Sequence, residues 1–439
     1  MGGRWGWSLR YSCAVEQSQG AVGKLLGAAA LVGLLAGAGA VVFLSVEHSL
    51  QSLLWTTIPD AIGGSPGWYV FVVLLAGAVG VWLATKMPGG GGHRPLDGLS
   101  FNIGPKEIAG AVIAALISLS IGAVIGPEAP LMAVGSAMGG FVAMRSPEPA
   151  RKVLMVAGAA AAITMILGNP MISAVLVLEG AVLKGSPGGK KVMLAVLPVL
   201  IAMGFGYLIQ VGFGDWNGVG QSQLAVPGLP AYPTVQFADL SWALVVALVT
   251  AILAVLAVEA GTIFQNKIPN ALVKFLIAAT VVATAAVATR AITGQDLNAV
   301  LFSGQDDMTT VLGITTLGTL VVIAIAKTIA YSASLGAAFR GGMVFPSVFL
   351  GVVVACAADV MLSGVSQSAL VATGIAAAVA GVMRLPFTAV LLALLLCSGA
   401  GLAVTTPAII GAVVGVLVRA AADARLERAE EEPEPAPVG

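Results

Sequence analysis

The chain has 439 residues, 58% hydrophobic and only 10% charged, with a formal net charge of zero and a mean hydropathy of +0.99. A soluble chain needs roughly a quarter of its residues charged to cover its surface, so most of this surface meets lipid. The neutral balance gives no ground for a nucleic-acid partner.

Taken in order, residues 1–20 carry Arg4 and Arg10 and read as a cytoplasmic leader. The apolar stretch behind them is too long, and too lacking in a small-residue cleavage site, for a removed signal peptide. Apolar runs follow at 25–46, 69–84, 108–125, 192–212, 240–258, 271–289 and 313–326, each near or above the roughly 20 residues that span a bilayer. Backbone polar groups must be satisfied internally in hydrocarbon, and runs of Ala, Leu and Val without strict alternation exclude a β-barrel. An all-α polytopic membrane protein is therefore expected. The polar segments between the runs are short: 86–106, 184–191 and a Gly/Pro-rich connector at 213–236. The organisation read from this is a first membrane repeat at 21–212, the connector, a second repeat at 237–420, and a disordered acidic, proline-rich tail at 421–439. Basic residues in the leader, in 86–94, in 184–191 and around Arg419–Arg428 place these parts and both termini in the cytoplasm. Cys13, Cys356 and Cys397 form no CxxC pair and read as small packing residues.

The two repeats rest on self-comparison. At a constant offset of 216 residues, Gly126, Pro130 and Gly135 fall on Gly342, Pro346 and Gly351. Ser118-Leu119 falls on Ser334-Leu335, Gly158 with Ala160–Ala162 on Gly374 with Ala376–Ala378, and Pro170 on Pro386. The prolines and the gapless spacing carry the case. Duplicated membrane units build a central site from interrupted helices at the repeat interface; the repeat alone leaves open whether the halves are parallel or inverted.

The repeated element is a glycine break followed by a helix: AVIGPEAPLMAVG in the first half and FRGGMVFPSVFLG in the second. Pro127, Pro130 and Pro346 fit a first helical turn. A helix beginning in mid-membrane points free N–H groups and its positive dipole end at whatever lies there. Two such ends converging make an anion site without a full positive charge; two ordinary kinked spans are the plainer alternative. Two ionisable residues flank the breaks. Glu128 reads either as a carboxylate stabilised at a helix N-terminus or, because it lies inside the membrane, as a functional group. Arg340 reads as a snorkelling or a pore-side arginine. His93 and Lys327 read as loop and interface residues, and Glu179 and Glu259 as solvated or capping.

GPEAPLMAVGSAMGG and GGMVFPSVFLG resemble the two pore-helix starts of the CLC chloride channel/transporter family. IAKTIAYSASLGAAFRGGMVFP resembles its longer second-half block, with Lys327 and Thr328 in place, and GNPMISAVLVLEG and MRLPFTAVLLALLL resemble its later interface helices. The resemblance runs from about residue 20 to 420. It implies an inverted repeat of tilted and interrupted transmembrane helices, a homodimer in a bacterial plasma membrane, one anion path per subunit and no cofactor. Carried over position by position, the family's first anion motif falls on Gly91-Gly92-His93-Arg94-Pro95, with Gly92 where a serine would touch the ion. Its gating glutamate falls on Ile125, just ahead of Gly126-Pro127, and the preceding arginine on Val124. The coordinating amides behind Gly341-Gly342 fall on Met343 and Val344, the inner proton-transfer glutamate on Gly180, and the pore tyrosine near Leu402, with no tyrosine close by in sequence.

The backbone part of such a site survives and its side-chain part is largely replaced. The function expected is passive or weakly coupled transport of chloride or another small anion, since Ile125 and Gly180 cannot carry protons. One alternative keeps proton-coupled exchange with Glu128 as a displaced gate; another is a cation or neutral-solute transporter on the same fold. No HExxH and no paired aspartates inside the apolar runs speak for an enzyme. Glu128 and Arg340, on opposite sides of the paired break, are expected to form a buried ion pair that leaves the amides free for anions.

Overall fold

The computed structural model describes residues 5–98, 103–183, 189–220 and 224–431. Among these the chain is helical, and its extended pairings are isolated bridges. The α-helices in order are α1 (Trp5–Ser52), α2 (Ile58–Ile62), α3 (Gly67–Ala84), α4 (Ile108–Ser120), α5 (Glu128–Val142), α6 (Glu148–Leu167), α7 (Pro170–Leu183) and α8 (Gly189–Val211). They continue with α9 (Phe237–Lys267), α10 (Ala271–Thr293), α11 (Met308–Leu312), α12 (Leu317–Ala337), α13 (Val344–Met361), α14 (Gln367–Met383), α15 (Pro386–Leu396) and α16 (Thr405–Glu431). Eight helical stretches among the described residues are long and apolar enough to cross a bilayer.

Several expectations are corrected here. The run at 108–125 is not one span: α4 stops at Ser120, and Gly122 takes a left-handed φ of +90° that opens the break before α5. The stretch from residue 421, expected as a disordered tail, begins as helix, because α16 continues to Glu431; the remainder of the tail lies outside the described residues. So do residues 1–4 of the leader, 184–188 of the basic loop and 221–223 of the connector.

The chain divides into two compact units. The first comprises Met1–Leu44, Ser100–Ile108 and Leu131–Ser222. Within it α5 and α6 meet at Gly135 and Gly158, where a Cβ on either glycine would overlap the other's carbonyl. Small residues substitute here for a hydrophobic drive that lipid does not supply. The second unit comprises Ser45–Leu99, Ala109–Pro130 and Gln223–Gly439. Within it α13 and α14 meet at Gly351 and Gly374 in the same reciprocal manner. These are the two glycine pairs that the offset of 216 superposes, so the repeat is one helix pair built twice.

The following cap repeats as well. Gly168 closes α6 with φ +63°, and Arg384 closes α14 with φ +60° at the matching position. An arginine tolerates this left-handed cap poorly, yet here its guanidinium bonds Asp423 at 2.8 Å. Asp423 also pairs with Arg419, which pairs with Glu259, tying the charged end of α16 to α9.

Candidate functional site

The site lies in the second unit, where the two repeated breaks meet. Gly126 N–H donates to the Gly342 carbonyl at 2.9 Å, and Gly342 N–H donates to the Gly126 carbonyl at 2.6 Å. Gly126-Pro127 leads into α5 and Gly342-Met343 into α13, so both helix starts are fixed to one point. A second reciprocal pair surrounds the bridge. Ser334 Oγ accepts from the amide of Val124 at 3.0 Å, and Ser118 Oγ accepts from the amide of Arg340 at 3.0 Å. Ser118 matches Ser334 and Val124 matches Arg340 at the offset of 216. Contacts that exchange partners in this way are the mark of a two-fold relation. Both serines are fully buried, and the sequence showed them only as part of a repeat.

Glu128 is the first residue of α5 and 2% exposed. Its side chain crosses to the other half: Oε1 accepts from the Phe345 amide, in the first turn of α13, at 2.8 Å. The amides of Glu128 itself and of Val344 also face the carboxylate. Oε2 lies against the bridge, where a Cβ on Gly342 or Gly126 would overlap it. Both glycines are thus required by the carboxylate as well as by the backbone bridge. Ile125 is 1% exposed and packs its side chain on Gly341, a Cβ on which would fall 2.6 Å from Ile125 Cδ1. It seals the break and offers no charge.

The expected Glu128–Arg340 ion pair does not form. Arg340 is 6% exposed, and its Nη2 donates to the Gly90 carbonyl at 2.7 Å, away from the α13 start. Its Nε and Nη1 have no hydrogen-bond partner. The pairing failed because Glu128 sits at a helix start that offers amides at shorter reach, and because the break turns Arg340 toward the 86–94 loop.

Of the remaining residues picked from sequence, Gly92 lies in that loop, where Gly89, Gly90, Gly91 and Gly92 all have φ between +61° and +86°. Such a backbone is open to glycine and costly for a residue with a Cβ. His93 bonds the Gly98 carbonyl at 2.5 Å and closes its own turn. Val344 begins α13 and Met343 caps it. Leu402 is 85% exposed and is not buried with the others. Gly180 lies within α7 of the first unit and carries no proton.

Two further residues support the break. Tyr331 is fully buried and donates its hydroxyl to the Met343 carbonyl at 2.8 Å; it comes from α12, which sequence proximity to Leu402 could not reveal. Lys327 is no interface residue. It is fully buried and donates to the carbonyls of Val300, Leu301 and Phe302, each at 3.0 Å, with its ammonium 4.5 Å from the centre of the Phe349 ring. Phe302 N–H in turn donates to the Gly122 carbonyl at 3.2 Å. Lys327 therefore holds the loop that holds the first break.

The arrangement has known relatives. A family model described as "Voltage gated chloride channel" matches residues 93–420. Curated proteins named "Putative ion-transport protein YfeO" are 24% identical, from Escherichia coli over 74% of this chain and 76% of theirs, and from Salmonella newport over 74% and 77%. Among solved structures, a slow cyanobacterial Cl⁻/H⁺ antiporter superposes with a TM-score of 0.72 at 15% identity, covering 93% of this chain and 98% of that one. A CLC-type fluoride/proton antiporter superposes with a TM-score of 0.63 at 15% identity, covering 90% and 95%. These likenesses establish the inverted-repeat fold, and the family model spans most of the chain. The chain belongs to the voltage-gated chloride channel family.

Proposed function

We propose that the protein moves small anions, chloride first among them, across the bilayer past the Gly126–Gly342 bridge, with the Glu128 carboxylate as the gate. The observation that carries this reading is the Phe345 amide donating to Glu128 Oε1 at 2.8 Å. Free amides at a helix N-terminus stabilise negative charge. Here the chain supplies that charge itself, so the carboxylate holds the position that a permeating anion would take. Carboxylate and anion then compete, and whatever neutralises or withdraws Glu128 opens the path. Protonation would do so, so acid is expected to raise flux. With Gly180 in α7 offering no relay, proton binding at Glu128 gates the path without driving stoichiometric exchange. One path per subunit of a homodimer is part of the proposal.

The test is chloride efflux from liposomes containing the purified protein, with proton movement followed in parallel. Efflux that rises on acidification, without uphill proton uptake, is expected. Clear proton uptake against its gradient would replace the passive reading with a coupled one. Cation flux without chloride flux would overturn both.

A further inference from the structure

The Tyr331 hydroxyl, carried by α12 and fully buried, donates to the Met343 carbonyl at 2.8 Å. Met343 is the N-cap of α13, and an N-cap carbonyl already accepts the first intrahelical bond. The helix therefore does not need the phenol to satisfy that carbonyl. The bond matters for what lies at the other end of the same peptide. The Met343 carbonyl and the Val344 amide belong to one planar unit, in which C=O and N–H point in opposite directions. The phenol stands at the carbonyl end, and the Glu128 carboxylate faces the Val344 N–H at the other.

A hydroxyl on the carbonyl fixes the plane of this peptide, and so the direction of its N–H. It also polarises the unit, because hydrogen bonds in a chain strengthen one another. Phenol, peptide and carboxylate thus form one line of donors running from α12 to Glu128. The other half lacks the device. At the offset of 216, Tyr331 falls on Ala115 and Met343 on Pro127, so no phenol stands behind the start of α5. Glu128 reaches across from that start to the one that has a phenol.

Among the described residues, no charged side chain pairs with this carboxylate. Lys327, one turn earlier on α12, is turned to the carbonyls of residues 300–302, and Arg340 to that of Gly90. α5 carries no second charge, and Cys356 and Asp359 lie in the last two turns of α13. The Tyr331 phenol lies within electrostatic reach of Glu128.

We infer that Tyr331 is a positioning residue for the gate. Through the Met343–Val344 peptide its hydroxyl sets how tightly the start of α13 holds negative charge, and so the pH at which Glu128 lets go. The inference rests on the gate reading and adds to it the residue that tunes the gate.

The experiment reads the carboxyl directly. Full-length protein in liposomes is titrated by infrared difference spectroscopy, with the Glu128 carboxyl band assigned by its loss in Glu128→Gln. Tyr331→Phe removes the donor and keeps the ring, so the carboxylate is held less firmly and takes its proton at higher pH. The midpoint should rise by about 0.4 pH unit, the size of a loss of about 10–30% from one charge-assisted bond. Placing 3-fluorotyrosine at position 331, a stronger donor of nearly the same size, should lower it. The acid response of chloride efflux should move with each. An unchanged midpoint in Tyr331→Phe overturns the inference, whatever happens to its melting temperature. Should that variant not fold, the fluorotyrosine protein decides alone: a lowered midpoint supports the inference and an unmoved one overturns it. The gate reading fails on a different result, an acid response of efflux that survives in Glu128→Gln.

Discussion

Glu128→Gln perturbs the gate at a single atom pair. In the wild type, Oε1 accepts from the Phe345 amide at 2.8 Å, and the amides of Glu128 and Val344 face the same carboxylate. Glutamine has the same shape and keeps one acceptor, so packing around the bridge should be unchanged. It gives up the charge and turns one oxygen into a donor aimed at amides that also donate. A hydrogen bond to a charged group contributes about 1.5–3 kcal/mol and a neutral one about 0.5–1.5, so the closed gate loses about 1–1.5 kcal/mol. At about 1.4 kcal/mol per factor of ten, a mostly closed path opens roughly tenfold more often. Chloride efflux from liposomes, read with an ion-selective electrode, should rise by about that factor and lose its response to acid. Unchanged or reduced efflux from a well-folded Glu128→Gln protein, with its acid response intact, would refute the gate.

Gly342→Ala places a Cβ on the Glu128 carboxylate. It should destabilise the protein clearly in the wild-type background and less in Glu128→Ala, a coupling of about 1–3 kcal/mol read by thermal unfolding in detergent. Lys327→Met keeps the apolar stem but strips three carbonyls, two of them in fully buried bonds, of their donor. It should cost about 3 kcal/mol or more in the same assay, with aggregation or loss of flux following from the freed break. Tyr232, outside the spans, donates to Asp239 at 2.9 Å, and burial first, then Asp239, pushes its phenol up to about 12. The folded state holds this proton more tightly, so the contribution is complete below the ordinary value of 10.0 and disappears as pH rises through about 12. Tyr232→Phe should remove that alkaline loss from melting curves.

The membrane class was legible because lipid imposes it: too few charges, and apolar runs of spanning length. So was the repeat, because both glycine pairs and both prolines hold one offset. What the sequence could not show was direction. Ser118 and Ser334 were visible as a match, but an Oγ that accepts from residue 340 or 124 depends on the breaks turning toward each other. Tyr331 is invisible to proximity along the chain, because α12 brings it in from the side. The role of Lys327 is equally hidden, because a lysine is seldom fully buried and three carbonyls converging from residues 300–302 leave no local pattern. The Glu128–Arg340 pair failed for a related reason: opposite charges at matched positions are free to choose other partners, and backbone amides outcompeted the guanidinium.

That choice also bears on which sign of ion the path suits. A glutamate in a pore ordinarily favours cations, and on sequence alone this kept a cation transporter in view. Its Oε1, however, already accepts from the Phe345 amide at the start of α13, and Oε2 is buried against the bridge without a hydrogen-bond partner. Moving the carboxylate aside exposes amides and two helix N-termini, which repel a cation and attract an anion. Arg340 adds a full positive charge with free donors on the Gly90 side of the break. With the carboxylate in place the site neutralises itself, and on the proposed gating its withdrawal leaves the site electropositive. The Glu128 carboxylate also stands at the start of its own helix, while Ile125 seals the gap over Gly341.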